Sequence, residues 1–164
     1  MSFTGPAEDE IFMRMALELA RSAGEAGEVP VGAVVTVQGE VVGTGANARE
    51  STGDPTAHAE LVALREAAKT LGTWRLTGAT IYVTLEPCPM CAGGLVAARV
   101  ARLVLAAPDP KSGACGSLYN LCADPRLNHE LPVERWVLAD AARDLLVEWF
   151  SARRAALPTP AGER

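Results

Sequence analysis

Residues 79–100 read ATIYVTLEPCPMCAGGLVAARV, and the change of pattern inside this stretch sets the architecture. Ala79 to Leu85 is apolar and β-branched, the pattern of a strand. Pro89 to about Val100 reads as a helix. Pro89 suits its first position, where the missing N–H removes no hydrogen bond. Cys88 and Cys91 sit at the joint, three residues apart and so one helical turn apart. Both sulfurs can face one point at the positive end of the helix dipole, which favours the metal-binding thiolate.

Working outward, helix and strand alternate. Towards the N-terminus, Pro6 to Ala23 repeats apolar residues at helical spacing, with Ile11, Met15 and Leu19 together with Phe12 and Ala16. Val31 to Val37 is a β-branched run, Gln38-Gly39 makes a turn, and Val41-Val42 pair back as a hairpin. Residues 46–56 are polar and read as a loop. A helix is expected from near Ala57 to Leu71. Beyond the central stretch, Leu103 to Ala106 is a strand and 108–126 a long loop with one helical turn. Val133 to Leu138 is a final strand, Ala139 to Ala156 a final helix, and 157–164 a disordered tail. One α/β domain over residues 1–156 follows, with helices on both faces of a mixed sheet.

Composition fits this frame. The chain has 164 residues, 49% hydrophobic and 21% charged, enough for one domain. No apolar run approaches the ~18 residues of a membrane span. The N-terminus lacks a basic segment followed by an apolar one, so no secretory signal is read and a cytoplasmic location is expected. The four cysteines are then reduced thiols or metal ligands. The net charge of −5 argues at first sight against a nucleic-acid partner. Six acids and two bases fall in residues 1–30, however, leaving −1 for the other 134, so a local basic patch is permitted.

The chemistry concentrates in two short stretches, Thr56-Ala57-His58-Ala59-Glu60 and Glu86-Pro87-Cys88-Pro89-Met90-Cys91, each opening a helix. Alone, Cys-x-x-Cys suits a structural half-site or a redox pair, a helical His is usually a satisfied side chain, and a first-turn Glu is good dipole chemistry. Together, His58, Cys88 and Cys91 supply three positions of a tetrahedral zinc site and leave the fourth open for water, the mark of a catalytic zinc. Glu60 shares that site only if the helix meets the metal end-on, and it then serves as a proton shuttle. Cys115 and Cys122 are read as two buried small apolar side chains, not as completing a four-thiolate site.

At these residues the chain resembles the bacterial tRNA-specific adenosine deaminases of the TadA type, within the cytidine-deaminase-like superfamily. The resemblance runs from about Asp9 to Arg154. It includes EVPVGAVV at 28–35, Asn47, DPTAHAE at 54–60, YVTLEPCPMCAG at 82–93, DPKSGACGSLYN at 109–120, Asn128-His129 and WFSARR at 149–154. It implies a three-layer α/β/α fold, a homodimer, one Zn2+ per subunit, and hydrolysis of adenosine to inosine at the tRNA wobble position, chiefly in arginine tRNA with anticodon ACG. It places Asn47 against the purine edge and Asp109 near the ribose. Ala59 and Pro87 are further substrate-contacting positions, and Lys111, Arg153 and Arg154 are phosphate partners in the anticodon arm. At least one of Trp149 and Phe150 is expected in the core. Two rivals are weighed: a free-base deaminase acting on guanine or cytosine, and a zinc-stabilised RNA-binding module without catalysis.

Overall fold

In the computed structural model, which describes residues 5–157, the chain builds a five-stranded mixed sheet in the order β2-β1-β3-β4-β5. Strands β1 (Gly32–Val37) and β2 (Glu40–Ala46) form the expected antiparallel hairpin. Gln38 and Gly39 both take positive φ, 52° and 79°, the backbone that a two-residue hairpin turn requires. Strand β3 (Ala79–Leu85) pairs antiparallel to β1 and parallel to β4 (Arg102–Ala107). Strand β5 (Val133–Arg135) adds in parallel at the edge.

Two apolar layers sandwich the sheet. Helix α1 (Pro6–Glu25) and helix α5 (Ala139–Ala156) cover one face, where Phe12, Met13 and Ala16 meet Val34, Tyr82, Val104 and Ala142. Helices α3 (Ala59–Leu71) and α4 (Pro89–Ala97) cover the other, with Ala63, Leu64, Leu95 and Val96 against Val35, Ile81, Val83 and Leu103. The three-layer α/β/α arrangement is thus present. A buried ion pair crosses the first face: Arg102 donates to both carboxylate oxygens of Asp9, at 2.8 and 2.7 Å, and the Tyr82 hydroxyl adds a third bond at 3.1 Å.

Several boundaries differ from the sequence reading for physical reasons. In α1 the buried ridge runs through Phe12, Met13, Ala16, Leu17 and Ala20, whereas Ile11 is 58% and Met15 39% exposed. Gly32 explains the choice: a Cβ there would lie 2.0 Å from the Ala16 carbonyl oxygen. The helix therefore presses its small residues on β1 and turns Ile11 outward. Helix α4 stops at Ala97, because Arg99 takes a left-handed φ of 62° and the Val100 N–H folds back to the Leu95 carbonyl. Strand β5 ends at Arg135, not Leu138, since Trp136 and Leu138 adopt left-handed backbone at φ 72° and 55°. The polar loop after β2 contains one helical turn, α2 (Arg49–Thr52), whose Glu50 and Ser51 N–H groups donate to the buried Glu28 carboxylate. Of the tail expected at 157–164, all but Leu157 lies outside the described residues. No helix among the described residues is long and apolar enough to cross a membrane.

Candidate active site

The two cysteine and histidine stretches meet because two helices begin at the same place. Strand β2 carries two glycines under α3. A Cβ at Gly45 would lie 2.2 Å from the Ala59 carbonyl oxygen, and one at Gly43 would lie 2.5 Å from that of Ala63. Only a bare backbone lets α3 settle this close to the sheet. His58 is then the residue before the first helical turn, in extended conformation at φ −78° and ψ 149°. Upstream, Asp54 fixes the approach by accepting from the Thr56 N–H at 2.8 Å and the Thr56 hydroxyl at 2.7 Å. Cys88 holds the matching position before α4, at φ −72° and ψ 173°, with Pro89 at the first helical position.

Across this meeting point, His58 Nδ1 lies 3.7 Å from Cys88 Sγ and 3.5 Å from Cys91 Sγ. Zinc bonds of about 2.3 Å to sulfur and about 2.05 Å to nitrogen, set at tetrahedral angles, separate the two donors by about 3.6 Å. The two edges of the donor triangle that run from His58 to the sulfurs therefore already have the lengths of a zinc site. Among the described residues these three form the one group of His, Cys, Asp or Glu with donor atoms gathered closely enough to hold a metal ion. Cys115 and Cys122 are not part of it. Both are fully buried, with their sulfurs 3.4 Å from one another, in accord with the reading as apolar filling.

The electrostatics divide the thiols. A hydrogen bond from Cys91 brings the Cys88 thiol down to about 5; the backbone N–H groups of Cys91 and Met90 and the charge of His58 act with it, against burial. Cys91, as the donor of that bond and more deeply buried, is pushed up. Glu60 is 4% exposed, in the first turn of α3 beside them. Burial raises its carboxyl to about 7, reinforced by the charge of Cys88 and opposed by bonds from its own N–H and from Cys91. A carboxyl poised near neutrality can both take and give a proton. The start of α3 thus places His58 and Glu60, two residues apart, beside the same two thiols.

The other expected residues fall into two groups. Asn47, just beyond β2, lies against the first turn of α3: its Oδ1 accepts the Ala59 N–H at 2.9 Å, leaving Nδ2 to donate. The Ala59 N–H, at a position expected to contact substrate, thus fixes the Asn47 amide. The Pro87 carbonyl accepts the Ala114 N–H at 2.8 Å. Asp109 accepts the Lys111 and Ser112 N–H groups and the Ser112 hydroxyl, closing its own loop. Lys111 is exposed.

Helix α5 forms one wall of a groove of about 350 Å³ whose lining includes Asn47, Arg49, Trp149, Phe150, Arg153 and Arg154. The groove thus reaches the site through Asn47, while His58, Glu60 and the two thiols lie outside its lining. Neither aromatic is core. Trp149 is half-buried, donating from Nε1 to the Gly24 carbonyl at 3.1 Å, and Phe150 is 42% exposed. The guanidinium of Arg153 lies 4.6 Å from the Trp149 ring centre and donates to the Gly27 carbonyl at 3.1 Å. Arg154 bonds Ser151 on its own helix.

One residue carried no role in the sequence reading although its motif was quoted. Glu86 is 4% exposed and gathers the Asp109, Cys115 and Ser117 N–H groups and the Ser117 hydroxyl. Burial pushes its carboxyl up, but these bonds outweigh it and hold the group below the usual value. An acid at the end of a buried strand, immediately before Pro-Cys, is the signal that could have pointed to it.

With this geometry in hand, comparison with known proteins is direct. Residues 6–107 match the cytidine and deoxycytidylate deaminase zinc-binding region. The chain is 47% identical over 147 residues to the tRNA-specific adenosine deaminase of Bacillus subtilis, covering 90% of this chain and 91% of that one. It is 43% identical to the enzyme of the same name from Aquifex aeolicus, over 88% and 95%. Among solved structures, one from studies of A-to-I editing by tRNA:A34 deaminases at the wobble position of transfer RNA superposes with a TM-score of 0.80 at 43% identity. It covers 82% of this chain and 98% of that one. A guanine deaminase from Nitrosomonas europaea is more distant in sequence, at 28% identity and a TM-score of 0.74, covering 92% and 87%.

Proposed function

This chain belongs to the cytidine and deoxycytidylate deaminase zinc-binding family and, within it, to the tRNA-specific adenosine deaminases, and from that membership we propose that it converts adenosine to inosine at the wobble position of tRNA. The reaction consumes water and releases ammonia. The observation that carries the chemistry is the donor triangle of His58, Cys88 and Cys91 with Glu60 buried beside it. The substrate is supported by 47% identity extending over about nine tenths of both chains. Arginine tRNA with anticodon ACG is the chief substrate in this reading.

His58, Cys88 and Cys91 would hold one zinc ion per subunit, which when bound would supply Lewis acidity toward water near neutral pH. Glu60 takes a first proton from the attacking water and delivers it to ring N1 so that C6 becomes electrophilic; it then takes the second proton from the hydroxyl added at C6 and passes it to the departing amine, so that ammonia leaves as the C6 carbonyl forms. Asn47, fixed through Ala59, turns Nδ2 toward the purine edge, where an amide meets the donor and acceptor pattern of adenine. The Pro87 carbonyl retains a second lone pair beside the leaving group. Asp109 serves the ribose, and Lys111 and Arg154 the neighbouring phosphates. Arg153 acts chiefly by bracing α5 on the 24–27 turn.

The enzyme works as a homodimer, and exposed Leu118 and Tyr119 offer apolar surface for the second copy to cover. Residues 1–156 form a single zinc-dependent deaminase domain, acting in the cytoplasm where its tRNA is made. The test gives zinc-loaded protein either the anticodon stem-loop of arginine tRNA or free guanine, cytosine and adenosine. Ammonia release with the stem-loop alone, and inosine at its wobble position, is the expected result. Release from a free base and none from RNA would overturn the substrate while leaving the zinc chemistry.

A further inference from the structure

We propose that Glu86 is a positioning residue for the substrate: it locks the 109–117 loop onto the turn that carries Cys88, and so fixes where Asp109 and Lys111 stand relative to the reacting base. This inference rests on the tRNA reading above. Each Glu86 oxygen is used twice. Oε2 accepts the Asp109 N–H at 2.9 Å and the Ser117 hydroxyl, while Oε1 accepts the Cys115 N–H at 3.1 Å and the Ser117 N–H at 2.9 Å. One buried carboxylate thereby gathers both ends of the loop.

The space around it is closed. A Cβ at Gly113 would lie 2.4 Å from the Glu86 carboxyl carbon, so the loop is drawn in until only glycine fits. Arg135 of β5 holds the peptide that lies between the Cys115 and Ser117 N–H groups. It donates to the Cys115 carbonyl at 2.6 Å and lies against Gly116, whose φ of 134° gives the backbone its turn. The acid thus holds the N–H groups and the guanidinium a carbonyl. A second tie, from the Ala114 N–H to the Pro87 carbonyl at 2.8 Å, joins the loop to the residue before Cys88. None of these bonds involves the three metal donors, so the loop can be loosened without removing a ligand.

Two variants test this, Glu86→Gln and Ser117→Ala. The amide turns two donors against the loop's own N–H and O–H groups, while Ser117→Ala deletes one donor and leaves the carboxylate. For both, KM for the anticodon stem-loop should rise about tenfold with kcat within about twofold, the scale of one lost charged hydrogen bond. Zinc content should stay at one per chain, and tryptic cleavage after exposed Lys111 should accelerate at least about fivefold. Unchanged KM and unchanged cleavage in Ser117→Ala would overturn the proposal, even if Glu86→Gln fails to fold. A fall in zinc content and kcat at constant KM would also overturn it, since Glu86 would then support the metal turn alone. If wild type itself does not act on the stem-loop, the tRNA reading fails, and the cleavage rates still decide whether Glu86 orders the loop.

Discussion

Asn47 Oδ1 accepts the Ala59 N–H at 2.9 Å, and this bond joins the end of the β-hairpin to the first turn of the helix that presents His58 and Glu60. It does the work of a cap that His58, in the capping position, does not supply. It also orients the amide so that its donors are free.

The two jobs of Asn47 separate by mutation. Asn47→Asp keeps the acceptor and loses the donors. It should hold stability near wild type while kcat/KM on the stem-loop falls about tenfold to a hundredfold, the scale of one base-edge amide pair. Asn47→Ala loses both and should in addition cost about 1 kcal/mol of stability, as lost caps do. Thermal unfolding and initial rates on the two variants check this.

Glu28 gives the fold an acid-sensitive joint. Bonds from the Ser51 and Glu50 N–H groups outweigh burial and hold its carboxyl below the ordinary value of 4.5. The folded state therefore binds the proton less readily than the unfolded one. The stability this adds is full above the ordinary value and is lost as pH falls through the lower folded value. Wild type should exceed Glu28→Gln in stability by a constant margin from neutral pH to about pH 5, and the margin should close below 4.5. Urea melts at stepped pH measure it, and a margin that widens in acid would refute the assignment.

The paired arginines of α5 should behave differently from one another. Arg153 stacks on Trp149 and bonds the Gly27 carbonyl, so Arg153→Ala should lower stability by about 1 kcal/mol. Arg154→Ala should leave stability unchanged and reduce the slope of log K against log salt for stem-loop binding by about one. Binding titrations at several salt concentrations distinguish the two.

Local pattern revealed most of the frame and the heart of the site. The strand–Pro-Cys–helix joint at 79–100, the hairpin around Gln38-Gly39 and the helix opening at His58 each depend on residues within a few positions of one another. The convergence of His58 with Cys88 and Cys91 was legible because zinc demands a particular donor set. The features that were missed depend on distant partners. Glu86 meets Ser117 31 positions away, and Glu28 meets Ser51 23 positions away; no periodicity records such bonds. Helical spacing shows that α1 carries an apolar stripe through Ile11, Phe12, Met15, Ala16 and Leu19 but not which edge of it is buried; Gly32 decides that by drawing Ala16 and Ala20 onto the sheet. The last strand was overrun because apolar Trp136 to Leu138 continues the pattern after the backbone has turned left-handed.

The most direct test of the account is single-turnover conversion of the arginine anticodon stem-loop by zinc-loaded wild type and Glu60→Ala, with metal content measured on the same samples. Wild type should form inosine at the wobble position. Glu60→Ala should keep one zinc per chain and lose activity by at least about a hundredfold, the lower scale of general acid–base catalysis. Undiminished conversion by zinc-replete Glu60→Ala would contradict the account.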